Sequence, residues 1–389
     1  MHILELPSFF PPHGGLFCLE QAKALKQAGH EVRIVSIVEL SVTTDRWLYL
    51  TAPWREERRE MEGIEVFGQY MRAVPKAVHR NVNCWISLCC ESVERYVRRY
   101  GKPDVLHAHC CKSAGLAAKE LSRRLGIPFF ITEHIPKGLF ERDFGEGWRR
   151  HKWLRDEMKE AYEAAERVVP VSRELVDDLA PFFGRAYQYQ AISNIIDTNF
   201  YDYRKRLPLS GRPFRFCCLA VADIHRKGYD VLAEAMKHLG NDVELHIAGQ
   251  GTDKPALRQL FANSPNVRFH GELDRLGVRR LLWESDALVL PSRSEVQPLV
   301  LLEALSTGIP AVATECVGPS ARLAVGCRYV PVGDACALAE AMKATVSIKP
   351  SPEFSEAVRS IASPQVVAQK LTALFEEAIG RYSSFAERI

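Results

Sequence analysis

Glu295 and Glu303 stand on either side of Pro298 in the stretch Asp286 to Thr314, DALVLPSRSEVQPLVLLEALSTGIPAVAT. Ionised carboxylates only accept hydrogen bonds, so their natural partners are hydroxyl groups, which sugar rings and riboses supply. Proline is tolerated at the first helical position. Pro298 is therefore expected to open a short helix whose leading N–H groups, on Leu299, Val300 and Leu301, lack intrahelical partners. Such groups attract phosphate. A cationic turn lies upstream in CLAVADIHRKGYDVLAEAM, where Arg226, Lys227 and Gly228 separate a strand pattern from a helix pattern. Cations there would neutralise a departing diphosphate, and the glycine lets backbone approach. Hydroxyl acceptors, phosphate donors and a cation together suit a sugar attached to a nucleotide diphosphate.

The elements that must position these groups follow one grammar. The apolar run Ala287 to Leu290, the polar turn, the helix bearing Glu303 and the second run from Ala311 read as strand, loop, helix, strand, the unit of a parallel sheet. The same alternation fills the chain and predicts an α/β protein. Upstream strands are expected at His2 to Leu6, Val32 to Val38, Asp104 to His109, Phe129 to Glu133 and Arg167 to Val171, with a helix from Gly15 to about Ala28. The pattern restarts at Phe214, after the polar, proline-broken segment Tyr201 to Pro213. A chain of 389 residues suits two such domains. Ligands of open parallel sheets bind outside the carboxyl ends of the strands, where the turn from Ser292 to Gln297 is expected.

Glu295, seven intervening residues and Glu303, set in PS, EAL and TGIP, resemble the E-x(7)-E signature of retaining family 4 glycosyltransferases. The resemblance implies the GT-B architecture: two Rossmann-like domains with parallel sheets facing across a cleft. It implies an N-terminal acceptor-side domain over 1–200, rejoined by a C-terminal helix at about 364–389, and a donor-binding domain over 201–363. In that family the first glutamate and the backbone after it, here Val296, Gln297, Pro298, Leu299 and Val300, meet the donor sugar and phosphates, while the second, here Glu303, holds the ribose. The family places a glycine and an aromatic residue after the first glutamate, where this chain has Val296, Gln297 and Pro298, and an arginine where it has Ala222 and Asp223. Lys227 matches the family's diphosphate cation, and Arg226 stands in for the displaced arginine.

Further matches extend the resemblance over most of the chain. Gly14 and Gly15 in PPHGGLF look like the glycine-rich loop before the first helix, and Gly249 and Gly251 in AGQGT like the glycine turn at the donor site. The backbone of His270, Gly271 and Leu273 in VRFHGEL is similar to the loop that reads the base. His134 in ITEH is expected to hydrogen-bond a sugar hydroxyl or hold a proton near the reacting centre. Ser172, with Arg173, and Asn194 fall where the family has VS and PNGVD elements. The expected catalytic set is Glu295, His134 and Lys227. A nucleotide-sugar epimerase of the same architecture and a degenerate sugar-nucleotide-binding scaffold are the alternatives.

Composition bounds partners and location. A net charge of +3 is too small to argue for nucleic acid. No Asp-x-Asp pair occurs, and His107, His109, Cys110 and Cys111 lack a second half with zinc spacing, so neither a metal nor a cofactor beyond the donor is expected. Eleven cysteines, six in adjacent pairs, read as reduced thiols. No apolar run reaches membrane-spanning length and MHILELPSFF reads as a buried strand, which predicts a cytoplasmic protein. Basic segments, notably GWRRHKWLR from Gly147 to Arg155, raise peripheral contact with the inner membrane face; the family resemblance implies a glycan or lipid-linked acceptor.

Overall fold

The computed structural model describes residues 1–144, 151–205, 211–323 and 325–386. Much of GWRRHKWLR and part of the segment Tyr201 to Pro213 lie outside the described residues. The chain forms two compact units, Met1–Ile195 with Pro364–Ile389, and Ile196–Ser363.

The first unit runs β1 (His2–Pro7), α1 (Leu16–Gln27), β2 (Glu31–Leu40), α2 (Arg46–Thr51), β3 (Glu57–Met61), β4 (Ile64–Arg72), α3 (Val78–Tyr100), β5 (Val105–His109), α4 (Leu116–Leu125), β6 (Phe129–Glu133), α5 (Lys137–Phe144), α6 (Lys152–Ala164), β7 (Arg167–Pro170) and α7 (Glu174–Phe183). Its strands lie in the order β3-β4-β2-β1-β5-β6-β7, parallel except for the β3–β4 hairpin at one edge. Every residue of β5 and β6 is buried, as expected of strands covered on both faces. α3 buries Val82, Trp85, Cys89, Val93 and Tyr96, the three- and four-residue spacing of one helical stripe.

The second unit runs β8 (Phe214–Leu219), α8 (Tyr229–Met236), β9 (Val243–Ala248), α9 (Pro255–Leu260), β10 (Val267–Gly271), α10 (Arg275–Glu284), β11 (Ala287–Leu290), α11 (Leu299–Ser306), β12 (Ala311–Thr314), β13 (Cys327–Val330), α12 (Ala335–Thr345) and α13 (Pro352–Ala362). Its sheet is parallel in the order β10-β9-β8-β11-β12-β13. Alternation along β8 sends Cys217 into the core on one face and Cys218 into the core on the other.

The last helix, α14 (Pro364–Ala386), belongs to the first unit. Its apolar stripe of Val367, Ala368, Leu371, Leu374, Phe375 and Ala378 joins Cys18, Leu19, Ala22 and Leu25 of α1 in one core. His30 to Thr372 at 2.8 Å and Arg381 to Glu166 at 2.9 Å fix its register. In both units the strand order reverses beside the first strand, so the carboxyl ends of β1 and β5, and of β8 and β11, flank a switch point where a crevice forms.

Candidate functional site

In the second unit a cavity of about 210 Å³ opens at that switch point. Leu219, Ala220 and Val221 continue from β8, Ala248 and Gly249 from β9, Leu273 follows β10, and Val300 and Glu303 come from α11. Gly249 has φ 137°, and a Cβ there would overlap the carbonyl oxygen of Ala220, so only glycine lets these two strand ends close the floor. Glu303 is the charged group in this mostly apolar lining. Burial pushes its carboxyl up to about 7, against the opposing pull of the Arg275 guanidinium and a hydrogen bond from the Tyr201 hydroxyl. Neither Tyr201 nor Arg275 carries a sequence signal of its own; both are brought in by tertiary packing.

The turn after β11 carries Glu295, which accepts hydrogen bonds from Lys227 Nζ at 2.6 Å and Ser292 Oγ at 2.7 Å. Both Lys227 and Glu295 are mostly shielded, with side chains 13% and 11% exposed, so the pair is not a solvated surface contact. The two loops meet closely. Gly228 has φ 68°, and a Cβ on it would overlap the carbonyl oxygen of Pro291. Arg293 N donates to the Arg226 carbonyl at 2.8 Å, and the Arg293 guanidinium forks onto Asp230 with two contacts of 2.7 Å. Arg226 itself is turned to Asp223 at 2.9 Å in an exposed pair.

Pro298 is the N-cap of α11, with ψ 108°, and not its first helical residue. Leu301 N accordingly donates to the Pro298 carbonyl at 3.1 Å, so Leu299 and Val300 alone present leading N–H groups without intrahelical partners. Gln297 is buried beside them. On the other rim Gly271, at φ 68°, accepts from Gly249 N at 2.8 Å, while the His270 ring contacts His246 at 2.9 Å. Gly251 lies in the turn after β9, where its left-handed φ of 77° suits glycine.

The first unit gathers a second set at the carboxyl ends of β1, β5 and β6. His134 follows β6 and stacks on Phe17 of α1, with ring centroids 3.8 Å apart. Burial, with His109 and His107 nearby, drives its pKa well below the ordinary imidazole value, against a hydrogen bond with Asn194. His134 is therefore neutral near pH 7. Glu133 anchors the turn: it accepts from the backbone N–H groups of Cys111, His134 and Ile135, each at 2.9 Å, and from the Tyr162 hydroxyl at 2.7 Å. Gly15 caps α1 in the left-handed conformation, and a side chain there would strike the Phe9 carbonyl; Gly14 beside it is exposed. Ser172 is buried at the start of α7.

Beneath His134, Glu5 of β1 receives His109 Nε2 at 2.6 Å and His107 at 3.0 Å, all three side chains fully buried. His107 also meets Thr132 at 2.7 Å. Burial alone would raise the Glu5 carboxyl, but the two histidines hold it down to about 2. Among the described residues this is the one cluster of donor atoms close enough to hold a metal. The 2.6 Å contact between Glu5 and His109 has the length of a direct charge-assisted hydrogen bond. Sequence reading passed over Glu5, although an acid inside the otherwise apolar strand HILELP was the signal.

Comparison with known proteins agrees along most of the chain. Residues 14–200 match the family described as "Glycosyltransferase Family 4", and residues 215–347 match "Glycosyl transferases group 1". A Mycobacterium tuberculosis glycogen synthase is 27% identical over 352 residues, covering 82% of this chain and 79% of its own. A GDP-mannose-dependent alpha-mannosyltransferase of Mycolicibacterium smegmatis is 24% identical over 302 residues, covering 74% and 75%. Among solved structures, sucrose-phosphate synthase from Thermosynechococcus elongatus superposes with a TM-score of 0.76 at 18% identity, covering 98% of this chain and 100% of its own. HepE of Anabaena, in complex with UDP, superposes with a TM-score of 0.71 at 17% identity, covering 97% and 100%. At such identities the structural likeness speaks for the fold.

Proposed function

The chain belongs to family 4 of the glycosyltransferases, with the GT-B architecture, and from that premise we propose that it is a retaining, metal-independent enzyme that transfers a sugar from a UDP-sugar or GDP-sugar to a glycan or lipid-linked acceptor. The donor belongs to the second unit and the acceptor to the first. The observation that carries this reading is the cavity at the β8–β11 switch point, where the Glu303 carboxyl and the open N-terminus of α11 converge. Glu303 takes the ribose hydroxyls. The N–H groups of Leu299 and Val300 and the ammonium of Lys227 take the diphosphate, and His270, Gly271 and Leu273 border the base.

Positioning and electrostatics then do the chemistry. As the bond from the sugar's anomeric carbon to the diphosphate breaks, the leaving oxygen gains charge beside Lys227 and the end of α11. The acceptor hydroxyl attacks from the face the diphosphate leaves, and its proton passes to a phosphate oxygen. Glu295 orients the donor sugar through its hydroxyls, and neutral His134 hydrogen-bonds a sugar hydroxyl.

Thermal melting with nucleotides tests the donor assignment. A ligand that binds only the folded state stabilises it by about 2.7 kcal/mol at a hundredfold excess over Kd. UDP or GDP is expected to raise the transition clearly, and adenosine phosphates to do little. Release of nucleoside diphosphate from a matching sugar donor separates an enzyme from a binding scaffold. If no nucleoside diphosphate shifts the parent, the donor reading fails.

A further inference from the structure

Glu303 is held from outside its own helix by a chain of polar contacts. Tyr201, 5% exposed, has its hydroxyl in hydrogen-bond contact with both the Glu303 carboxyl and the Arg275 guanidinium. Arg275 in turn donates to Asp197 at 2.9 Å. An arginine has donors only, so Arg275 donates to the Tyr201 oxygen and the one phenolic proton is left for Glu303. Burial and the Glu303 charge raise the Tyr201 hydroxyl above its ordinary range, so it stays protonated and keeps donating. The contacts thus run in one direction, from Arg275, itself anchored on Asp197, through Tyr201 to Glu303.

Packing fixes both donors independently of Glu303. The Tyr201 carbonyl accepts from Ser306 Oγ at 2.7 Å, one turn beyond Glu303 on α11, and Tyr201 N donates to the Asp197 carbonyl at 2.9 Å. The Arg275 guanidinium lies 4.3 Å from the centre of the Phe200 ring. Arg279, one turn along α10, lies 4.1 Å from that ring and 4.4 Å from the Trp283 ring, which Arg204 also meets at 3.3 Å. Trp283 Nε1 donates to the Asp202 carbonyl at 3.2 Å. Residues Asp197 to Arg204 are thereby fastened along α10 and α11. Arg275 opens α10, where a cation opposes the helix dipole, so its placement serves these contacts and not the helix. Among the described residues, the rest of the cavity lining, from β8, β9, α10, α11 and the turn after β10, brings no ionisable side chain to Glu303.

We propose that Tyr201 and Arg275 are positioning residues for the donor, aiming the Glu303 carboxylate at the ribose hydroxyls from outside the stretch Asp286 to Thr314. The Tyr201 bond takes one of the roughly four acceptor positions of a carboxylate and leaves enough for a pair of hydroxyls. Both contacts also favour the charged form, against the burial that pushes the carboxyl up to about 7, so without them less of it is ionised at neutral pH. The inference rests on the assignment of Glu303 to the ribose and deepens it.

Two measurements on the full chain separate this inference from the donor assignment. In the free protein, NMR of glutamate labelled at the side-chain carboxyl carbon follows Glu303, identified as the signal missing from Glu303→Gln. Its titration midpoint is expected to move to higher pH in Tyr201→Phe, which keeps the ring and its packing, and in Arg275→Gln. In Arg275→Lys, which keeps the charge, it is expected to return toward the parent value. Calorimetric titration with UDP and with GDP is expected to show binding about fivefold or more weaker at pH 7 in Arg275→Gln, the loss shrinking to about twofold or less at pH 9, where the carboxyl ionises again. A role in packing alone would lower stability and leave the Glu303 midpoint in place. An unmoved midpoint in both Tyr201→Phe and Arg275→Gln therefore overturns the proposal and leaves the donor assignment standing. A moved midpoint with nucleotide affinity unchanged upholds the hold of Tyr201 and Arg275 on Glu303 and fails the assignment of Glu303 to the ribose instead.

Discussion

Glu303 offers the sharpest test of the donor site, because its carboxyl sits at about 7 in the free protein. At pH 6 roughly a tenth of it is ionised and at pH 8 roughly nine tenths. If the ionised form alone accepts both ribose hydroxyls, affinity for a nucleoside diphosphate rises about tenfold across that interval, or about 1.4 kcal/mol. Binding near pH 7 then releases about half a proton, visible as a calorimetric enthalpy that changes with the buffer's ionisation heat. Phosphate groups on the ligand titrate in the same range, so the control is Glu303→Gln, whose pH slope contains only the ligand's share. The stability of the free protein moves the opposite way. A carboxyl raised from 4.5 contributes stability that is complete below that value and is lost as pH rises through 7. Unliganded Glu303→Gln is therefore expected to melt at or above the parent at pH 8, with the difference shrinking toward pH 5. If parent and Glu303→Gln show the same affinity and the same pH slope, Glu303 does not hold the ribose and the argument from the cavity collapses.

Three other perturbations reach different parts of the protein. Lys227→Ala is expected to lower kcat by about a hundredfold or more, since its charge matters most as the diphosphate departs, and steady-state rates of the parent should be indifferent to chelator; strong stimulation by a divalent cation, abolished on chelation, would remove the metal-independent mechanism. Gly228→Ala is expected to cost about 2 to 3 kcal/mol in denaturant unfolding, because alanine must adopt φ 68° and overlap Pro291; a neutral effect would show that the two loops do not hold each other as described. Glu5→Gln breaks a buried carboxylate–histidine cluster and is expected to cost about 3 kcal/mol at pH 7. The Glu5 carboxyl is lowered to about 2, so its contribution is present above pH 4.5 and fades as pH falls through 2, and the parent–variant gap in acid titration should close in that window.

The sheets were legible because buried parallel strands are written as short continuous apolar runs, as in Ala287–Leu290 and Ala311–Thr314. Helices with one clear stripe were equally open to reading, and the last one could be placed against the first domain only through the family resemblance. The β3–β4 hairpin was not legible: ERREM has no apolar alternation, and it becomes a strand by pairing with β4 at an edge. Pro298 shows the limit of local rules. Proline suits both the N-cap and the first helical position, and the choice between them depends on how the preceding turn docks, which only the tertiary structure fixes. Gly228 and Gly249 could be noticed as glycines after strands, but the carbonyls that forbid a side chain there lie far away in sequence. Tyr201 and Arg275 reach Glu303 from separate segments and leave no trace in spacing.

The ion pair between Lys227 and Glu295 links these points to mechanism. It joins the two loops that the proposed reading assigns to the diphosphate and to the sugar, and each partner is mostly shielded. A shielded pair holds its geometry at a desolvation cost that the contact between its two charges offsets. On the proposed reading a donor brings an anionic diphosphate to Lys227 and neutral hydroxyls to Glu295, so both partners exchange each other for ligand groups of matching chemistry. Ser292 Oγ also donates to Glu295, at 2.7 Å, from within the same turn. The replacement of the family's small and aromatic residues by Val296, Gln297 and Pro298 therefore leaves the carboxylate supported from below. On the proposed reading, what the substitution changes is the surface offered to the sugar, and with it the choice of donor sugar more than the capacity to bind a nucleotide.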